Sequence, residues 1–179
     1  MQKGIGLVVA VVIGAIVVFA LGLPEWSQRQ AMDTLFARDA CQGESWLPNI
    51  QISADRRIEY CTEAIRSGNW SGKNLTWAYN ARGISYASIR QYDQAIEDFS
   101  YAIKLDPRDA AFHLNLGNAW RQKDDYERAK IGYTEAIQLD PQYAAAYYAR
   151  GIVKQKMGDS IGGAADIAKA RQLQPGIGE

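Results

Sequence analysis

The sequence predicts an all-α protein: an α-solenoid of stacked helical hairpins preceded by a single transmembrane helix. Three observations carry that prediction. Residues 4–23 are twenty in a row without a charge, mostly Val, Ile, Leu, Ala and Gly. From residue 76 onward the chain repeats itself every thirty-four residues. Each period ends on a proline, at Pro107, Pro141 and Pro175, where a helix would have to stop.

The apolar run is long enough to span a bilayer. At about 1.5 Å per residue a twenty-residue helix covers roughly 30 Å, the thickness of the hydrocarbon core. A cleavable signal usually has a shorter apolar region, yet Val18-Phe19-Ala20 or Ala20-Leu21-Gly22 offers a small-residue cleavage site, so a released form stays open as the alternative. Lys3 precedes the run, and Glu25, Arg29, Asp33, Arg38 and Asp39 follow it. The positive-inside rule then places the N-terminus in the cytoplasm and the rest outside, which in a bacterium means the periplasm. Gly6, Ala10 and Gly14 recur every four residues, a ridge of small side chains on which another membrane helix can pack. Residues 1–24 are read as the anchor and 25–54 as a juxtamembrane helix and loop, with Trp26, Met32, Leu35 and Phe36 as the apolar members.

Within the repeats, Gly83, Gly117 and Gly151 fall in register, as do Ala102, Ala136 and Ala170. Ala95 and Ala129 are matched by Gly163, and Phe99 and Tyr133 by Ile167. This period and these residue types resemble the tetratricopeptide repeat (TPR) family. The repeats run 76–109, 110–143 and 144–177. The pattern has a physical logic. A glycine on the first helix and a small residue on the second let two antiparallel helices approach, an aromatic fills the space beside them, and the recurring alanine leaves room for the next hairpin. The third repeat departs: Lys154, Ser160 and Arg171 replace apolar residues, as suits a terminal unit with no successor.

Residues 55–75 read as a degenerate half-repeat, in which Ile58-Glu59-Tyr60-Cys61 echoes Ile96-Glu97-Asp98-Phe99. Cys61 takes the aromatic's position, and Cys41 lies upstream in a stretch that reads as loop around Gly43 and Pro48. The two cysteines are either unrelated buried thiols or one disulfide. An oxidising compartment favours the disulfide, worth about 3 kcal/mol for a loop of this size.

Several chemistries are set aside. Twenty basic and twenty acidic residues cancel and form no basic stripe, so nucleic acid is not an expected partner. Residues 68–73 have the wrong length for a phosphate loop and are followed by Asn74, which argues against nucleotide. Two cysteines and one histidine fit no zinc spacing. His113 falls on a repeat core position, and Glu97-Asp98 and Asp124-Asp125 read as solvated acids. No catalytic residue, metal or cofactor is expected.

The resemblance implies a concave groove lined by the first helix of each hairpin. By position it would present Trp77, Asn80 and Ile84, then Asn115, Asn118, Arg121 and Gln122, then Tyr148, Ile152 and Lys156. Of the family's terminal-carboxylate clamp only Asn115 is in place; the lysine positions hold Asn80 and Ala145. The expected function is a membrane-anchored scaffold that binds protein partners in assembling or stabilising a membrane complex. The alternatives are a released periplasmic peptide binder and an enzyme's regulatory subunit.

Overall fold

The computed structural model describes residues 8–12, 15–19, 40–42, 52–68 and 70–179. Helix α1, Ala54–Arg66, opens at Ser53, whose hydroxyl accepts from the Arg56 amide at 3.4 Å. A single 3₁₀ turn, Gly72–Leu75, leads into three antiparallel helix pairs. These are α2 (Thr76–Ser88) with α3 (Tyr92–Leu105), α4 (Ala110–Gln122) with α5 (Tyr126–Leu139), and α6 (Ala144–Lys156) with α7 (Ser160–Leu173). Each helix packs on the next in sequence, and the first helices of adjacent hairpins also touch, α2 with α4 and α4 with α6, so the array is a solenoid of contacts between adjacent repeats.

Local chemistry sets the boundaries. Asp109, Asp125 and Asp159 cap α4, α5 and α7 by accepting from the amides of Ala111, Arg128 and Gly162 at 2.9, 3.0 and 2.9 Å. The turn inside each hairpin needs one left-handed residue: Arg90 (φ 63°), Asp124 (φ 59°) and Gly158 (φ 89°), spaced by one repeat. Only the third uses glycine, for which that conformation is free of steric cost.

Close helix approach makes the core. A Cβ added at Gly83 would stand 2.7 Å from Cε1 of Phe99; at Gly117, 2.7 Å from Cε1 of Tyr133; at Gly151, 2.7 Å from Cγ1 of Ile167. Phe99, Tyr133, Ala102, Ala136 and Ala170 are buried. Burying each aromatic ring contributes about 1.5–3 kcal/mol.

Cys41 and Cys61 are joined in a disulfide, with their Cα atoms 4.8 Å apart and both side chains buried beside Ala78. Cys61 stands where Phe99 and Tyr133 stand in later hairpins. The bond therefore does covalently what a ring packed on glycine does elsewhere. Residues 40–42 are helical, which corrects the expectation of loop around Cys41.

The expected transmembrane helix over 4–23 needs correction where that stretch is described. Strands β1 (Val8–Val12) and β2 (Ala15–Phe19) pair antiparallel, Val8 opposite Phe19 and Val12 opposite Ala15. All ten residues but Ala10 and Ala15 are β-branched or aromatic, types that lose side-chain freedom in a helix and suit a ladder. Ala10 thus faces Val17 across a ladder rather than lying on a helical ridge, and Gly6 and Gly14 lie outside the described residues. Among the described residues, no helix is long and apolar enough to cross a membrane. The juxtamembrane helix with Trp26, Met32, Leu35 and Phe36 also lies outside them.

Candidate partner-binding groove

Helices α2, α4 and α6 line one face, and their polar residues are held in place rather than merely solvated. Asn115 donates through Nδ2 to Oδ1 of Asn80 at 2.9 Å, tying the first repeat to the second. The buried Tyr133 reaches through from α5 and donates its hydroxyl to Oδ1 of Asn118 at 2.9 Å. Burial pushes the Tyr133 phenol above its ordinary value, against the pull of the neighbouring Arg121 guanidinium.

Two depressions meet at Asn118. One, of about 190 Å³, has Ile84, Asn115 and Gln122 in its wall together with the edge of Phe99. The other, of about 330 Å³, is bounded by Leu114, Arg121, Tyr148, Ala149 and Ile152, and by Ile177 from the C-terminal tail. The tail turns back because Gly176 and Gly178 adopt left-handed conformations, φ 88° and 83°. Gly178 lies so close to the Tyr148 ring that an added Cβ would fall 2.5 Å from its hydroxyl oxygen.

The structure thus brings Ile84, Asn115, Asn118, Arg121, Gln122, Tyr148 and Ile152 to the two depressions, with Asn80 bonded at their margin. Trp77 belongs elsewhere: it meets Trp70 edge-on, ring centres 5.2 Å apart, and packs on the disulfide cluster. Lys156 is exposed and lines neither depression. Leu114, Ala149 and Ile177 line the second depression in addition to the expected residues. Leu114 and Ala149 share the helical faces of Asn118 and Ile152 and were findable by spacing, whereas the signal for the fold-back of Ile177 is the pair of glycines that flank it.

Charge is managed beneath the groove. Arg82 grips Asp98 with two bonds, Nε to Oδ2 at 2.8 Å and Nη2 to Oδ1 at 2.7 Å, and Nη1 reaches Thr62 at 3.1 Å. Arg150 does the same to Asp166, at 2.7 and 2.9 Å, and reaches Thr134 at 3.3 Å. Asp98 is therefore a buried ion-pair partner and not a solvated acid. Lys154 adds a second cation to Asp166 at 2.9 Å, so it neutralises a buried carboxylate rather than only capping the array. His113 is half-buried rather than a core residue, its Nε2 donating to the Pro107 carbonyl at 3.1 Å.

Residues 80–144 match the tetratricopeptide repeat family. Over those residues the hairpins are of the TPR type. A curated relative is the tetratricopeptide repeat domain-containing protein PYG7, chloroplastic, of Arabidopsis thaliana, 31% identical over 67 residues. That match covers 37% of this chain and 22% of PYG7, so the chain corresponds to about a fifth of that protein. Among solved structures, the second TPR of Spaghetti (RPAP3) bound to the HSP90 peptide SRMEEVD is 26% identical, with a TM-score of 0.56 over 57% of this chain and 94% of that one. MamA (21%, TM-score 0.61, 67% of this chain and 68% of its own) shares the fold. So does YrrB, described as a TPR protein with an unusual peptide-binding site (18%, TM-score 0.61, 69% and 62%). TPR arrays mediate protein–protein interactions, and neighbours in this fold bind peptides.

Proposed function

We propose that this protein is a membrane-anchored TPR scaffold, non-catalytic itself, whose groove holds a segment of a protein in a membrane complex. The observation that carries the reading is the pair of depressions meeting at Asn118, apolar at their walls and polar where they join. An extended chain offers apolar side chains and backbone amides in that alternation.

The N-terminal segment supports the membrane half of the proposal. A lone two-stranded hairpin is marginal in water, and in hydrocarbon its edges would leave backbone groups unpaired. Twenty uncharged residues in lipid satisfy their backbone only as a helix, so insertion would convert β1 and β2 into one span. The flanking charges favour a cytoplasmic N-terminus with the TPR array on the periplasmic side, an oxidising space in which the Cys41–Cys61 bond persists.

The test is recovery of partners from native membranes in mild detergent, read by mass spectrometry. Asn118→Ala with Arg121→Ala should reduce recovery severalfold while the helical signal in circular dichroism is kept. Undiminished recovery, with loss on changing the convex-side residues Ile131 and Glu135, would move the binding surface off the groove.

A further inference from the structure

The hydrogen bonds on the groove floor fix its polarity. Asn118 spends its Oδ1 on the Tyr133 hydroxyl, which leaves its amide group, a pure donor, for an occupant. Arg121 beside it is another pure donor, which gives a hydrogen bond to the Tyr133 hydroxyl and keeps the rest of its five N–H groups for an occupant. The other arginines on first helices, Arg82 and Arg150, are each locked to a buried aspartate. Among the described residues no carboxylate lies within ion-pair distance of Arg121. A half-buried guanidinium bordered by Leu114, Tyr148 and Ile152 matches a carboxylate bidentately.

Resting on the groove reading above, we propose that the site reads an acidic side chain within an extended partner segment, flanked by apolar residues. Arg121 and the Asn118 amide take the carboxylate, and the flanking side chains enter the two depressions. The acid belongs to a side chain rather than a chain end because the depressions lie on both sides of Asn118, so the occupant runs through the site. The apolar neighbours are read by Tyr148 and Ile152 on one side and Ile84 on the other.

The probe is a fluorescein-labelled, end-blocked peptide Ser-Leu-Asp-Leu-Ser, titrated against the full chain in detergent and followed by anisotropy. Its companions carry Asn or Lys at the centre, and a further one ends in a free carboxylate after the first Leu. The Asp peptide should bind at least about tenfold tighter than the Asn peptide. Arg121→Gln should erase that preference, and Arg121→Glu should turn it toward the Lys peptide. Equal binding of Asp and Asn peptides, tighter binding of the free-ended peptide, or no binding of any would overturn the inference. Ile152→Arg separates the two levels. If it abolishes binding of all peptides while the Asp preference is absent, the groove stands and the acid reading falls. If every peptide binds Ile152→Arg as well as the parent, the groove reading falls with it.

Discussion

The middle hairpin and the two that flank it solve the same packing problem with opposite chemistry. In the first and third hairpins an arginine of the first helix grips an aspartate of the second, Arg82 with Asp98 and Arg150 with Asp166. One repeat length from each, the middle hairpin holds Leu116 and Gly132, with no charge at either place. A Cβ on Gly132 would lie 2.9 Å from the His113 carbonyl and 3.1 Å from the Gly117 Cα, so here the backbones themselves touch. The repeat preserves the approach of two helices and leaves open whether charge or contact fills it.

The largest expected effect comes from breaking one outer pair. Asp98→Ala leaves the Arg82 guanidinium, only 17% exposed, without its partner, and should cost about 3–5 kcal/mol. Arg82→Leu together with Asp98→Ala gives the first hairpin the middle one's apolar answer. That double variant should return to within about 1 kcal/mol of the parent, because replacing a buried pair by apolar groups is often near neutral. Urea denaturation followed by circular dichroism measures both. A double variant as damaged as the single one would mean the hairpins are not interchangeable.

At helix α1 a disulfide stands where the first and second hairpins pack a ring on glycine. Reduction should lower stability by about 3 kcal/mol. The loss should be confined to α1 and the neighbourhood of Ala78 and Trp77, where the bond is buried. Hydrogen exchange with and without reductant would show it; uniform loss across α4 to α7 would contradict nearest-neighbour stability.

Glycine contacts sharpen the comparison further. At Gly83 the three atoms nearest an added methyl all belong to the Phe99 ring, which can shift. At Gly117 it meets the Tyr133 ring and also the Ala129 carbonyl at 3.1 Å, and Tyr133 is further held by its bond to Asn118. Gly117→Ala should therefore cost about 1–3 kcal/mol and Gly83→Ala less. Thermal melting ranks them, and the reverse order would sink the argument.

These cases show what the sequence made legible. The solenoid followed from Gly, Ala, aromatic and Pro recurring at one period, because each is demanded by backbone approach or helix termination. The Arg–Asp pairs were hidden because their recurrence skips the middle hairpin, so a comparison of adjacent repeats finds Leu116 and Gly132 and stops. Position on the first helices is what brings Ile84, Asn115, Asn118, Arg121, Gln122 and Tyr148 to the two depressions. The polarity of Asn118 was not legible, since it is set by Tyr133 reaching through from the other helix, and Trp77 packs on the disulfide cluster. The apolar N-terminal run has the length of a membrane span and the side chains of a strand, and composition alone does not choose between them.

The smallest expected effect concerns the difference between the two outer pairs, which share geometry but not charge balance. Burial raises the Asp98 carboxyl, and Arg82 offsets this only in part, so it stands above its ordinary value. Burial also raises Asp166, yet hydrogen bonds from Arg150 and then Lys154 outweigh it and hold the carboxyl below its ordinary value. The signs for stability are opposite. A depressed carboxyl gives stability that is present above the unfolded value, about 3.9, and is lost as pH falls through the folded value. A raised one gives stability at low pH that is lost as pH rises through its folded value. Lys154→Met keeps the apolar stem and removes the second cation, so Asp166 should move toward the behaviour of Asp98. At pH 7 the variant should be less stable than the parent by about 1 kcal/mol, the scale of a single partly exposed ion pair. On acidification the gap should narrow as pH falls through the folded Asp166 value of the variant and close below that of the parent, where protonated Asp166 no longer distinguishes the two proteins. Urea midpoints at pH 7 and at about pH 2, well under the unfolded carboxyl value, give the measurement. A gap of the same size at both would show that Lys154 acts through packing, and that the third hairpin differs from the first by shape rather than by charge.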